Sequence, residues 1–400
     1  MGTFFSRERF GKAQVLAGLL LLAFVAECAW LVVHSAPNLV NPDDAVRVQE
    51  GLGQWHGHGI AGTPAIQPDA PPEWAQGRDY DPDHSPLWYL IGSAPAAVFG
   101  VAPSSALGLW LTHSPDVLFG VLLGASVWYV SRRLYGNAGG YIALALYCFS
   151  PAVVRSSALW FAPPDIAGAW GTFGAVFTAI AVSHTLYAPR EVVLWNWRRI
   201  VLLGISLALA AGSQFSLALV IPVLLVFIMY LAQGRRSAAL VILSAASVVG
   251  VALLSAAYFF HPGIFWQSVK HARLLTASAA ALGMKGAYLQ MLNEVMASGP
   301  VLVVLVPAAL VTYTLWRRSR YFGNTAPLLM AFLFLGMRLA SPHDPDSVFS
   351  LIGVVFLFVF VAGIMADLLE TKARELTAAV LTGLLAANAL WSLIGLRRIG

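Results

Sequence analysis

The sequence predicts an all-α polytopic membrane protein: a bundle of about eleven transmembrane spans, within a range of roughly 10–13, and an outer-face loop that carries juxtamembrane helices. Three observations predict it. Hydrophobic residues make up 58% of the chain and charged residues only 11%, where a soluble domain carries roughly 25% charged residues. Apolar runs long enough to cross a hydrocarbon core of about 30 Å recur along the whole length. The basic residues gather in short clusters between those runs, the pattern of cytoplasmic loops under the positive-inside rule. No stretch has the composition of a soluble domain, so residues 1–400 read as one transmembrane domain. The net charge of +5 is accounted for by the basic loops, and no nucleic-acid-binding signature is present. Cys28 and Cys148 both lie inside apolar runs and speak for neither a disulfide framework nor a metal site.

The first apolar run, Ala13–Val33, follows Arg7, Arg9 and Lys12. It is longer than a signal-peptide core, and no small-x-small cleavage site closes it. It therefore reads as a retained span with a cytoplasmic N-terminus, in a plasma or inner membrane. Basic clusters at Arg132–Arg133, Arg190 with Arg198–Arg199, Arg235–Arg236, Arg317–Arg318 with Arg320, and Lys372 with Arg374 are assigned to the cytoplasmic side. The spans then fall at 13–34, 106–130, 138–156, 166–187, 200–214, 216–233, 238–259, 299–316, 325–340, 347–366 and 376–396. This arrangement leaves Arg397–Arg398 outside, against the rule. A twelfth span, or a last helix that does not cross, would remove the conflict.

The first outer loop with its interfacial helices occupies 35–104, and its stretch 35–86 is rich in Asp, Pro and Gly. Ala45, Val48, Leu52 and Trp55 recur there at helical spacing, the stripe of a helix lying in the membrane interface. The segment Pro86–Val101 is apolar but short. It reads as a juxtamembrane helix, because a span there would turn Arg132–Arg133 to the outside. A second outer loop, 260–298, holds His261, Lys270, His271, Arg273, Lys285 and Glu294, and two short outer turns run from Arg155 to Asp165 and from Arg338 to Asp346.

Carboxylates at the ends of membrane helices are costly against lipid and tend to face functional cavities. Asp43–Asp44 follows Asn41–Pro42, Asp165 follows Ala162-Pro163-Pro164, and Asp344 and Asp346 lie with His343 in the turn Ser341–Asp346. All three places fall on one membrane face in this topology, so they are expected to converge on one pocket. Each has a plainer reading. An Asp that opens a helix is often only its N-cap, and His343 reads as a solvated loop histidine before it reads as a base. His56 and His58 lack a third ligand at convincing spacing, so no metal site is assigned to them. Glu27, inside the first span, is expected to face the bundle near its outer end.

Several stretches, taken in order, resemble the GT-C glycosyltransferases, in particular bacterial relatives of protein O-mannosyltransferase and aminoarabinose transferase. Asn41-Pro42-Asp43-Asp44-Ala45-Val46-Arg47 stands where that family has a Pro-Asp-Glu type motif on an interfacial helix. Asp83-His84-Ser85-Pro86-Leu87-Trp88-Tyr89-Leu90 is similar to its Lys-Pro-Pro-Leu-x-Tyr helix. Ser131-Arg132-Arg133-Leu134-Tyr135-Gly136 matches the end of its next span, Ser150-Pro151 and Asp165 match the segment after it, and Gly204–Arg236 resembles a later hairpin. The resemblance covers roughly the first 240 residues. It departs at two cationic positions: His84 and Ser85 replace a Lys-Pro pair, and Ser213–Gln214 stand where Thr-Lys is usual.

The resemblance implies transfer of a sugar, with inversion, from a polyprenyl-phosphate donor to a glycan, lipid or protein acceptor at the extracytoplasmic face. It makes Asp43 the general base, Asp44 its neighbour in the same motif, and Asp165 the group that orients base or acceptor. His84, Tyr89 and Gln214 fall at donor-binding positions. Because the leaving phosphate needs cations or hydrogen-bond donors, Arg155, Lys270, Arg273 or Arg338 are expected to supply them, and His343 is counted among the substrate-binding residues. Some relatives use a divalent ion such as Mg²⁺ or Mn²⁺. Two other readings compete: a transporter or lipid flippase, against which stands the lack of a half-to-half repeat, and a non-catalytic relative that has lost the family lysines.

Overall fold

A computed structural model describes residues 7–39, 42–63, 81–102, 105–158, 165–185, 197–274, 277–341 and 348–399. Among them all regular structure is helical. In chain order the α-helices are α1 (Arg7–Leu39), α2 (Pro42–Trp55), α3 (Pro86–Phe99), α4 (Ala106–Cys148), α5 (Pro151–Ala158), α6 (Ile166–Thr185), α7 (Trp197–Ser213), α8 (Val220–Leu231), α9 (Arg236–Ala257), α10 (Pro262–His271), α11 (Lys285–Ser298), α12 (Leu302–Leu315), α13 (Phe322–Ala340), α14 (Val348–Leu369) and α15 (Arg374–Ile399). Short 3₁₀ turns cover Phe215–Leu219, Ala279–Gly283 and Arg317–Ser319.

Seven helices among the described residues are long and apolar enough to cross a membrane: Gln14–His34 within α1, α4, Ile166–Ser183 within α6, α9, α13, α14 and Arg374–Leu396 within α15. The pair α11 and α12, bent by 105°, adds an eighth if taken as one broken span. The expected span 106–130 and the part 138–148 of the next belong to the continuous run of α4, in which the expected loop shrinks to Gly136 at φ 75° and ψ −170°; the rest of the expected 138–156 runs past Cys148 into α5. Only glycine takes such a φ without strain, and two helices meet there across one residue. At α7, α8 and α12 the expected spans correspond to helices of 17, 12 and 14 residues.

The chain forms two compact units. One comprises 39–116 and 165–276, the other 1–38, 117–164 and 277–400.

In the 39–116/165–276 unit, α6, α7 and α9 pack side by side, and α2 lies against α3. The start of α3 is set by Ser85, whose Oγ accepts from the Leu87 N–H at 3.2 Å, with Pro86 in the first turn. Gly100, at φ 61°, closes it. Its 14 residues span about 21 Å, short of a bilayer core, which fits the juxtamembrane reading. On α2, a Cβ at Gly51 would come within 2.6 Å of the Tyr89 carbonyl and 2.5 Å of Ser93 Oγ, so glycine sets the close approach of the two helices. Gln54 ties the same helix down: its Nε2 donates to the Ala257 carbonyl at 2.7 Å, and its Oε1 accepts from the Ala61 N–H at 3.1 Å. The buried residues of α2 are Val48, Glu50, Gly51, Gly53 and Gln54. Of the expected interfacial stripe, Val48 is buried, Leu52 is half-buried, and Trp55 is exposed with its indole N–H on the Leu90 carbonyl, while the side chain of Ala45 lies outside the described residues. Contact with α3 selects small and polar residues, which hydrophobic periodicity does not reveal.

In the other unit α14 is the core, buried along nearly its whole length. Helices α11, α12, α13 and α15 pack against it. Phe334 of α13 stacks between Phe349 and Phe356 of α14, with ring centroids 6.3 and 6.0 Å away. Arg338, in the last turn of α13, is buried and grips Glu294 of α11 through Nε at 3.0 and 3.1 Å. Glu27 is buried in α1, facing protein as expected, and neither carboxyl oxygen has a hydrogen-bond partner among the described residues.

Candidate functional site

The segment Asp81–Ser85 is held by backbone hydrogen bonds to two other parts of its unit. The Asp83 carbonyl accepts from the Phe215 N–H at 2.8 Å, and the Pro82 carbonyl from the Arg273 N–H at 2.9 Å. The Gly212 carbonyl receives both the Ser85 N–H, at 3.0 Å, and Ser85 Oγ, at 2.7 Å. Ser85 is therefore the residue that staples this turn to the end of α7 and caps α3.

Asp81 organises the cluster. Its Oδ1 accepts from the backbone N–H groups of Asp83, at 2.9 Å, and His84, at 3.2 Å. Its Oδ2 meets His84 Nδ1 at 2.9 Å and accepts from the Tyr89 hydroxyl at 2.8 Å. Burial works to raise the Asp81 pKa, but the His84 charge, with hydrogen bonds from His84, the Asp83 backbone and Tyr89, outweighs it and holds the carboxyl well below the usual range. Asp81 is thus a fixed negative charge. The His84 ring lies on Trp88, with centroids 4.0 Å apart and planes 13° from parallel.

Asp165 sits just ahead of α6, and its Oδ1 caps the helix by accepting from Ala167 N–H at 2.7 Å and Gly168 N–H at 3.1 Å. The N-cap reading of this residue therefore holds. The capping does not use the whole carboxyl: Oδ2 is buried and takes no hydrogen bond of ordinary length from the described residues. Burial raises the Asp165 pKa, opposed by the two backbone donors, the His84 charge and the Trp88 side chain. A carboxylate raised in this way is a better proton acceptor than an ordinary one.

Four of the sequence-predicted residues thus belong to one neighbourhood: His84, Tyr89, Asp165 and Arg273, whose Nη1 donates to Asp83 Oδ2 at 3.2 Å. Gln214 is buried beside it, between Gly212 and Phe215, where its backbone precedes a 3₁₀ turn. Lys270 is exposed at the end of α10. Asp43 and Asp44 lie in the first turn of α2, and their side chains fall outside the described residues, as does His343 altogether. In the other unit, Arg155 is exposed at the end of α5 and Arg338 is engaged with Glu294 and the Ser341 carbonyl.

Two acids were not singled out by the sequence reading. Asp81 was one of many in an acidic loop; the signal was its spacing of three residues ahead of His84. Asp116 lies within electrostatic range of Asp165, and its signal was a carboxylate inside an apolar run. Among the described residues no group of three His, Cys, Asp or Glu side chains lies together as a metal cage.

No protein-family model matches the sequence, and no curated protein matches it. Solved structures do. The chain is similar in fold to the archaeal oligosaccharyltransferase AglB from Archaeoglobus fulgidus in complex with an inhibitory peptide and a dolichol-phosphate. The TM-score is 0.59 at 13% identity, over 94% of this chain and 55% of that one. The Archaeoglobus fulgidus oligosaccharyltransferase tethered to an acceptor peptide containing the NVT sequon gives a TM-score of 0.61 at 15% identity, over 97% and 55%. Its complex with Zn and sulfate gives 0.53 at 14%, over 92% and 52%. The chain spans about half the length of these structures.

Proposed function

We propose that this protein is a multi-pass membrane glycosyltransferase of the GT-C type, using a lipid-phosphate-linked sugar. The observation that carries the reading is agreement between two independent lines. The ordered sequence motifs resemble GT-C enzymes, and nearly the whole chain has the fold of a protein that was solved with a dolichol-phosphate. The Asp81–His84–Asp165 neighbourhood adds chemistry suited to the reaction. The finer features belong to the proposal: a polyprenyl-phosphate donor, a mannosyltransferase-like or aminoarabinose-transferase-like lineage, an acceptor at the outer face of a plasma membrane, a cytoplasmic N-terminus and about eleven spans once shorter helices are counted.

In this reading the acceptor hydroxyl or amine loses its proton to Asp43 as it attacks the anomeric carbon from the face opposite the phosphate, which inverts the configuration. Asp44 shares the first turn of α2 with that base, and Asp165 orients the acceptor through the carboxyl oxygen its cap leaves unused. Tyr89 and Gln214 shape the donor site. Lys270 and Arg273 are the cations this unit offers the phosphate, and Arg338 already has Glu294. A divalent ion, if required, would add to these groups.

The test is transfer from a radiolabelled polyprenyl-phosphate sugar by the purified protein. Asp43→Asn keeps the size and removes the basicity, so turnover is expected to fall by about a hundredfold or more while donor binding changes little. Full activity in both Asp43→Asn and Asp44→Asn removes this motif from the mechanism. Donor binding with no transfer under any condition favours the flippase or the non-catalytic relative.

A further inference from the structure

His84 stands where the resemblance expects a lysine, and its surroundings are built for an imidazole rather than for an ammonium. Nδ1 lies 2.9 Å from Asp81 Oδ2, and that carboxylate is an acceptor only, so Nδ1 must carry a proton. The ring is clamped flat on Trp88. Asp81 cannot swing away, because two backbone N–H groups and the Tyr89 hydroxyl hold it. The geometry fixes the tautomer and aims the opposite ring edge, which bears Nε2, away from Asp81. The His84 side chain keeps 16% of its surface. A lysine, with an ordinary pKa of about 10.4, can only lend charge at neutral pH. An imidazole near 6.5 can give its proton up to a phosphate monoester, whose second pKa is about 6.

We propose that His84 is a proton donor to the departing phosphate and that Asp81 is its positioning residue, so that use of the lipid-phosphate donor is switched by pH. This rests on the glycosyltransferase reading above. As the bond between the anomeric carbon and the phosphate oxygen breaks, its electron pair stays on that oxygen, and the Nε2 proton moves to the phosphate. The products are a neutral imidazole and a polyprenyl phosphate monoanion. The acceptor's proton goes to the carboxylate base as the new glycosidic bond forms. Solvent then reprotonates His84 and deprotonates the base. Among the described residues the ionisable groups near the ring include Asp81 and Tyr89 from its own segment and Asp165 ahead of α6, with the Arg273–Asp83 pair next to it in the chain. Asp81 and Asp165 both feel the charge of His84, and the attraction is mutual.

The experiment measures undecaprenyl phosphate binding to the full chain in lipid nanodiscs from roughly pH 5.5 to 8.5, for wild type, His84→Lys, His84→Gln and Asp81→Asn. The ratio of wild-type to His84→Lys affinity cancels the titration of the phosphate itself. That ratio is expected to fall by about tenfold per pH unit above the histidine's transition, because the lysine keeps its charge. Asp81→Asn removes the carboxylate that favours the imidazolium, so the fall should begin about one pH unit lower. His84→Gln should be weak at all pH values. Thermal unfolding of each variant separates a lost fold from a lost proton. If the ratio is flat with pH, or Asp81→Asn leaves the transition where it was in a folded protein, the inference is overturned and the glycosyltransferase reading stands. If wild type fails to bind the lipid phosphate at every pH, both fall.

Discussion

Arg338 in one unit and Arg273 in the other both meet a carboxylate, on opposite terms. Arg338 is 3% exposed, its guanidinium is divided between Glu294 and the Ser341 carbonyl, and it holds α11 to α13. Arg273 is 52% exposed and reaches Asp83 by a single contact at 3.2 Å. A buried pair is a commitment: once both charges are desolvated, losing one leaves the other stranded. An exposed pair is negotiable, and its arginine can turn to an incoming anion at little cost. The unit built around α14 therefore spends its buried charge on architecture. The unit that contains α2, α3 and α6 keeps charge in partly open places, where chemistry can use it.

That contrast can be broken or sharpened by substitution. The largest effect is expected at Arg338. Arg338→Ala should destabilise the protein by about 3 kcal/mol, the low end for a broken buried pair because Glu294 keeps some solvent, while Arg338→Met combined with Glu294→Leu should recover most of the loss. Unfolding titrations in detergent measure both, and a neutral Arg338→Ala would erase the distinction between the units. Asp165 comes next. Asp165→Ala removes a helix cap worth about 1 kcal/mol, whereas Asp165→Asn keeps the cap and removes the charge. If the carboxyl serves the reaction, transfer falls in both variants and stability in only one. The smallest stability effect is expected at Arg273. Arg273→Ala should cost well under about 1 kcal/mol, yet it should weaken lipid-phosphate binding measurably.

Much of the fold was legible because lipid leaves few alternatives: helix after helix could be read from apolar length and basic clusters. The juxtamembrane helix at Pro86–Phe99 followed from a run too short to cross, and the break at Gly136 from a basic motif ending in glycine. What escaped was contact between distant segments. Nothing local in Gly51 and Gln54 says that they face protein; that depends on Ser93 and Ala257 arriving opposite. The candidate site divides the same way. Asp165, His84 and Tyr89 carried signals of position and residue type. Asp81 stood in a loop with seven other acids, and only its hydrogen bonds distinguish it.

Helix α14 has a consequence for how the protein is made. An 18-residue stretch of it has a mean hydropathy of 2.8, high enough to leave the insertion machinery and partition into lipid on its own. In the finished unit it touches almost no lipid. The segment must therefore enter the bilayer early and be enclosed later, as α15 and the preceding helices close around it. Lipid tails are as apolar as leucine, so that closure gains nothing from hiding hydrocarbon and must draw on shape and dispersion alone. The Phe334–Phe349–Phe356 stack is then the grip of a second assembly step. Defects there should appear as correctly inserted, poorly assembled protein, prone to quality-control degradation rather than to failed targeting.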